Sequence, residues 1–533
     1  MKKYAWIFLL PVLILGFWLR TINFSQITFT YDQARDAFEA LDIWRGDHFR
    51  LLGPATDLGG LFHGPFYWYM LSPLYHFSNG NIAVVKVFLI LFNLVNAAFI
   101  YFFSKKLFKN RFVGVLSALL FALSFEAVQY GRWISNPAPA VLTNAIFFYG
   151  LWLFVNNRKR ALPLMVLGLG LSIQFQFFMT YLFFLILPIF IYKLAKKTFT
   201  VSRSDILLTF ISLLVFSTFI LAEFKFGFQG FKALLKFLSE EKPLFNNGFI
   251  AAFNVFMDRI FNTFSLNVFG KNALISGLCT LSVLIYSLFF APGRYKRQVF
   301  FLIVWLFSPI LLFSFEKNSA QFATIGILYP AIMLTSFTIH QLFVCKKELR
   351  VFAVLFVLFV SITQIGMVYR YTKNGEVIFA VQDKMLLSDQ KKVIDWIYKE
   401  SRGKPFSLNT VTNPLFINTT WSYLFDWYGK NRYGYMPSWV GYPQDGVYGS
   451  QVRYTPKNIM DGTRYFLIIE PTPGIPDMYI FVYVRYENSR STLIKKQQIG
   501  GFTVEERIFG KYKDFSREDL FKKEVKTATE TSP

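Results

Sequence analysis

Apolar residues fall in long runs separated by short basic or aromatic loops. The runs lie near 4–19, 81–103, 112–128, 138–155, 161–176, 178–192, 206–222, 270–291, 299–315, 323–343 and 351–369. Each approaches the roughly 20 residues that a helix needs to cross a bilayer, which predicts about eleven transmembrane helices. The tightest joint is 161–192, where two short helices must meet near "QFQFFMT" (174–180), a single bent helix being the other reading. After Tyr369 the pattern breaks: Asp, Lys, Asn, Pro and Gly become frequent, and "RYFLIIE" (464–470) and "MYIFVYVRYE" (478–487) alternate like strands. The expected architecture is a polytopic α-helical membrane domain over residues 1–370 and a soluble α+β domain over 371–533.

Composition agrees with a membrane chain. Of 533 residues 54% are hydrophobic and only 17% charged, with 66 Phe, which is too oily for a soluble enzyme of this size. The net charge of +24 does not point to nucleic acid, because the bases sit in short clusters between apolar runs. "KKLFKNR" (105–111), "NNRKR" (156–160), "KLAKKTFTVSR" (193–203), "GRYKR" (293–297) and "CKKELR" (345–350) occupy alternate loops, on the same side as Lys2 and Lys3. By the positive-inside rule that side is cytoplasmic. The N-terminus is then cytoplasmic, the first run being an uncleaved helix, and the outer face receives the loops 20–80, 129–137 and 223–265, the "FEKNSAQ" turn (315–321) and the C-terminal domain. Two cysteines, Cys279 and Cys345, imply no disulfide framework.

Chemistry concentrates where the first apolar run ends. "TFTYDQARDAFEALDIWRGD" (28–47) carries Asp32, Asp36, Glu39, Asp42 and Asp47, in a chain with 32 acids against 56 bases. Thr30 and Gln33 fit a capping box, with the Thr30 hydroxyl as cap and Gln33 reaching back. Ala34, Ala37, Phe38, Leu41 and Trp44 recur at helical spacing as an apolar face, opposite a polar face of Asp32, Arg35, Asp36 and Glu39. A solvated interfacial helix explains that face as readily as a reactive site does. "LLGPATDLGGLFHGPFYWYMLSP" (51–73) adds a Gly/Pro-rich loop, an interfacial aromatic run and His63, a residue that is more often structural when alone. Arg132 and Asn136 lie in "YGRWISNPAPA" (130–140), where a cation either snorkels or meets an anion. Glu126 and Glu223 stand at helix ends, where an ionisable group is costly. Lys225 and Lys317 add outer-face cations.

"YDQARDAFEALDIWRGDHFRLLGPATDLGGLFHGPFYWYMLSPLY" (31–75) resembles the first extracytoplasmic loop of bacterial GT-C superfamily glycosyltransferases, in the dolichyl-phosphate-mannose–protein mannosyltransferase and RgtA/B/C/D-like branch. "YGRWISNPAPAVL", "LAEFKFGFQGFKALLKF" and "ILYPAIML" are similar to later segments of that family, and the resemblance spans about residues 1–370. It implies transfer of one sugar from a polyprenyl-phosphate-linked donor to a glycan, lipid or protein acceptor on the outer face of a prokaryotic plasma membrane, with inversion. The family's general base maps onto Asp32, with Asp36 as the second carboxylate, because Gln33 stands where members often carry Glu. A general base is what an acceptor hydroxyl needs, and a phosphate leaving group calls for cations such as Arg35, Arg132, Lys225 or Lys317. His63, Asn136 and Glu223 complete the candidate substrate contacts. Use of a divalent cation stays open. Two alternatives remain: oligosaccharyltransferase-like transfer of a whole glycan, faintly suggested by "FDWYG" (425–429), and a lipid or polysaccharide transporter, although paired repeats and broken mid-membrane segments are not evident in the sequence.

Overall fold

The computed structural model describes residues 5–47, 49–56, 58–198, 201–239, 248–313, 321–379, 382–444, 448, 452, 462–473 and 475–510. It is mostly helical. Among the described residues seven helices are long and apolar enough to cross a membrane, and a bent pair would make an eighth span. Shorter apolar helices accompany them at Leu9–Thr21, Ala140–Val155 and Ala161–Phe175.

In chain order the helices that position the site residues are α1 (Ala5–Thr21), α2 (Tyr31–Arg45), α3 (Phe66–Phe77), α4 (Ile82–Phe108), α5 (Arg111–Leu123), α6 (Phe125–Arg132), α7 (Ala140–Val155) and α8 (Ala161–Phe175). A 3-10 turn (Phe177–Tyr181) leads into α9 (Leu182–Ala195), followed by α10 (Arg203–Leu213), α11 (Ser217–Lys225) and α12 (Gln229–Ser239). The kink between α5 and α6 is 61°. It has a local cause: the Ser124 hydroxyl caps α6 by accepting from Ala127 N, so a new helix starts where the old one stops. The segment 161–192 is two helical pieces, parted at Gln176, whose φ of −147° is extended.

The packing of the chain divides it into two units. One comprises residues 1–24, 42–75 and 82–373; the other comprises 25–41, 76–81 and 374–533. The start of α2 therefore packs with the C-terminal segment, although more than 300 residues separate them in sequence.

Within that second unit, β1 (Ser407–Val411), β2 (Ser438–Trp439), β3 (Arg464–Ile469), β4 (Ser491–Ile499) and β5 (Phe502–Phe509) form a sheet in the order β2-β1-β3-β5-β4. β1 runs parallel to β2 and β3, while β5 is antiparallel to β3 and β4. Val411, Val440, Tyr465, Leu467 and Phe509 form its core. The "RYFLIIE" run supplies β3 as the alternation predicts. The second alternating run does not form a strand: residues 477–490 are helical. Asp477 in the first turn and Arg490 in the last complement the helix dipole, and Glu487 with Arg490 closes an i,i+3 ion pair at 2.7 Å. These favour a helix, against the β propensity of its Tyr, Ile, Phe and Val residues.

Candidate functional site

The carboxylate-rich helix is fixed before it begins. Residues 27–29 run extended beside the C-terminal segment, with Phe29 N donating to Met385 O and Leu387 N to Ile27 O, both at 2.9 Å. The Gln390 amide donates to Phe29 O at 2.8 Å. Thr28 and Glu376 bond reciprocally: Thr28 N donates to Glu376 Oε2, and Glu376 N donates to the Thr28 hydroxyl, each at 2.9 Å. α2 then starts with half of the expected capping box. Gln33 reaches back to accept from Thr30 N at 2.9 Å, but the Thr30 hydroxyl donates to the same Gln33 oxygen at 2.7 Å instead of capping the helix itself.

On the first turns of α2, Arg35 stands between two carboxylates. Its Nη1 donates to Asp32 Oδ1 at 2.8 Å, and its Nη2 and Nε donate to Asp36 Oδ1 at 2.9 and 3.1 Å. The two acids differ sharply in environment: Asp32 is 55% exposed and Asp36 only 1%. Burial works against the Arg35 charge, yet Asp36 first and Asp32 second outweigh it and hold the guanidinium above its ordinary range. Burial likewise pushes the neighbouring Tyr31 hydroxyl up, against the pull of Arg35. Apart from Asp32, the polar face of α2 is not solvated as the pattern suggests. Gln33, Asp36 and Glu39 are as buried as Ala34 and Ala37, while Trp44 on the predicted apolar face is 42% exposed. Phe38 packs edge-on to Tyr423 and stacks on Tyr448, so other parts of the same unit cover the helix.

The remaining candidates fall into separate groups in the first unit. Arg132, at the end of α6, directs its guanidinium at the backbone carbonyls of Arg20, Ile22 and Asn23, the last at 3.0 Å. It thereby ties down the chain where α1 ends. His63 and Asn136 meet at the break after α8: Phe177 N donates to His63 Nδ1 at 2.9 Å, and the Asn136 amide donates to Phe175 O at 2.6 Å. Glu223 accepts from Phe231 N at 3.2 Å and so caps the first turn of α12. Lys225 lies over the Phe226 ring at 5.5 Å. Glu126 accepts from the Asn267 amide, which also donates to Thr263 O at 2.7 Å. Lys317 lies outside the described residues.

Residues 62–221 match the family described as dolichyl-phosphate-mannose-protein mannosyltransferase. The chain is similar in fold to ArnT from Cupriavidus metallidurans, at a TM-score of 0.53 for the apo structure and 0.54 for the structure bound to undecaprenyl phosphate. The identities are 10% and 11%, and each match covers 95% of this chain and 98% of ArnT. The chain thus has a fold similar to that of ArnT, and part of it resembles the mannosyltransferase family. The arabinofuranosyltransferase AftD from Mycobacteria also matches, at 13% identity and a TM-score of 0.44, over 96% of this chain and 40% of AftD. No curated protein matches the chain in sequence.

Two buried cations escape a reading by motif. Arg20 is fully buried in α1, where it donates to Asn93 Oδ1 at 2.8 Å and to Gly16 O and Ala122 O at 2.9 and 3.2 Å. Lys86 is fully buried near the start of α4, within 3.3 Å of Phe24 O. The signal for both was a lone cation inside an apolar run, which is costly enough to need a partner. A divalent cation fits the carboxylates poorly. Asp32 and Asp36 share the Arg35 guanidinium, and among the described residues no three His, Cys, Asp or Glu side chains converge.

Proposed function

We propose that this protein transfers a single sugar, with inversion, from a polyprenyl-phosphate-linked donor to an acceptor hydroxyl of a glycan, lipid or protein at the outer face of the membrane, with Asp32 as general base. The observation that carries this reading is the asymmetry around Arg35. Asp36 is buried and anchors the guanidinium, which in turn holds the half-exposed Asp32 by a single oxygen, Oδ1. A carboxylate held in one orientation and open to solvent suits proton abstraction, because a base must lie within hydrogen-bond reach of the proton it takes.

In the proposed step the acceptor oxygen gives its proton to Asp32 as it bonds to the anomeric carbon. The bond from that carbon to the phosphate oxygen breaks, and its electron pair leaves with the polyprenyl phosphate. The charge that develops there needs fixed cations or N–H donors, and Arg35 is the cation nearest to Asp32 in this motif. Two observations support the donor class: the mannosyltransferase family match over residues 62–221, and the likeness in fold to ArnT, which has been solved with undecaprenyl phosphate. Basic clusters on alternate loops support a cytoplasmic N-terminus, an extracytoplasmic C-terminal domain and residence in a prokaryotic plasma membrane.

The test is sugar transfer by purified full-length protein in nanodiscs, with a polyprenyl-phosphate sugar as donor. Asp32→Asn should lower turnover by about 10²–10⁴ while thermal stability stays near wild type. Turnover within a few-fold of wild type would remove Asp32 from the mechanism.

A further inference from the structure

A groove lies at the opposite end of α4 from Lys86. The spacing of Phe99, Phe102, Phe103 and Lys106 is i, i+3, i+4, i+7, which places them on one stripe of α4. With Lys105 and with Tyr149 of α7 they line an open groove of about 400 Å³. That is within the range of small-molecule sites, roughly 300–1,000 Å³.

The groove is divided by chemistry. Its walls are aromatic: Tyr149 meets Phe99 and Phe103 edge-on at ring distances of 5.9 and 5.1 Å, and Phe102 is 57% exposed. Its end is cationic. The Lys106 ammonium donates to the Tyr149 hydroxyl at 2.5 Å and lies 5.1 Å from the centre of that ring. The Lys105 ammonium lies 5.3 Å from the Tyr101 ring. Both lysines occupy the last turn of α4, where the helix dipole favours cations. The dipole accounts for their position, but not for an apolar channel that leads up to them.

We propose that this groove binds an anionic phospholipid, with its phosphate between Lys105 and Lys106 and an acyl chain along Phe99, Phe102 and Phe103. Charge complementarity decides the occupant: a paired cationic end continuous with an aromatic wall suits an amphiphile with one negative head, and basic pockets between membrane helices recognise such heads. A zwitterionic lipid would satisfy the wall and bring a phosphate too, but its head carries an ammonium that the paired lysines repel. The site involves none of the residues assigned to transfer, so it stands or falls independently of the glycosyltransferase reading.

The test is native mass spectrometry of the full-length protein released from nanodiscs made with equal phosphatidylglycerol and phosphatidylcholine. Wild type should retain phosphatidylglycerol in about tenfold preference. Lys105→Gln with Lys106→Gln should abolish the preference, and Lys105→Arg with Lys106→Arg should keep it. Phe102→Ala should weaken retention of both lipids and leave their ratio unchanged, which separates the wall from the cationic end. No preference in wild type, or a preference that survives the double Gln variant, would overturn the assignment. So would displacement of phosphatidylglycerol by equimolar polyprenyl phosphate, which would make the groove a site for the donor lipid.

Discussion

Arg35 donates one hydrogen bond to Asp32 and two to Asp36, and the three bonds span only 2.8–3.1 Å. The arrangement is an anchor and an arm. Asp36, 1% exposed, cannot lose its partner cheaply, because an uncompensated buried charge costs about 3 kcal/mol or more. Asp32, 55% exposed, makes a screened surface contact worth at most about 1 kcal/mol. Arg35→Ala should therefore destabilise the protein by about 3 kcal/mol, whereas Asp32→Ala should change stability by less than about 1 kcal/mol. Denaturant unfolding of the full-length chain in detergent checks both values. Equal losses in the two variants would mean that Asp32 is a structural partner and not the free arm.

How far this site was legible in the sequence follows from the same residues. The Thr30–Gln33 cap, the beginning of α2 and the i,i+3 reach of Arg35 are local, and local spacing is what a pattern records. The burial of Asp36 and Glu39 is not local. The α2 residues belong to a unit with the C-terminal segment: Phe38 packs on Tyr423 and Tyr448, and residues 27–29 bond to Met385 and Leu387, all more than 300 positions away. Periodicity shows that a helix has a polar side, but not that a distant segment will cover it. The same limit explains the helix at 477–490. Alternation of apolar residues fits a strand, but it cannot register the bonds that Glu487 accepts from Asn409 and Tyr465 of the sheet, at 2.9 and 2.6 Å.

The C-terminal unit carries a buried acid whose titration should be measurable. Glu470 follows β3 and is 3% exposed. It accepts from Trp421 Nε1 at 2.8 Å, and from Gln382 Nε2 and Asn413 N at 3.1 Å each. Burial pushes its carboxyl up to about 7, against the three hydrogen bonds. The folded unit thus keeps a proton that the unfolded chain releases at an ordinary carboxylate pH near 4.5. Stability from this group is fully present below pH 4.5 and is lost as pH rises to about 7, by about 3 kcal/mol in total. Glu470→Gln should flatten that slope. Denaturation midpoints of wild type and variant, compared between pH 4.5 and 7.5, check the sign, and a wild-type midpoint that rises across this window would contradict it.

The proposed topology makes a chemical prediction. In a background lacking Cys279 and Cys345, single cysteines at Asn110 and Lys296 should resist an impermeant thiol reagent in intact cells. One at Gln497, on the exposed strand β4, should react. Reversal of this pattern, with the first two labelled and the third protected, would place the basic loops outside and invert the orientation.

Gly64 offers the sharpest packing test. Its N–H donates to Gln174 O at 2.9 Å, and a Cβ at this position would stand 1.8 Å from Gln174 Oε1 and 2.9 Å from Gln174 Cα. The Gln174 amide cannot simply swing aside, because its Nε2 already donates to Val215 O at 2.7 Å and to the Thr218 hydroxyl at 2.8 Å. Gly64→Ala should therefore cost about 1–3 kcal/mol by overpacking. It should also loosen the neighbouring His63–Phe177 and Asn136–Phe175 bonds, which hold the same break after α8. Gly46→Ala is the control: it has positive φ but nothing within 4 Å, so it should show only the backbone strain of about 1–2 kcal/mol. Pairing Gly64→Ala with Gln174→Ala removes the clash with the side chain and keeps the one with the Cα atom. Partial recovery of thermal stability in the double variant is the expected result. Full stability in Gly64→Ala alone would show that the 53–64 loop does not lie against Gln174 in the working protein.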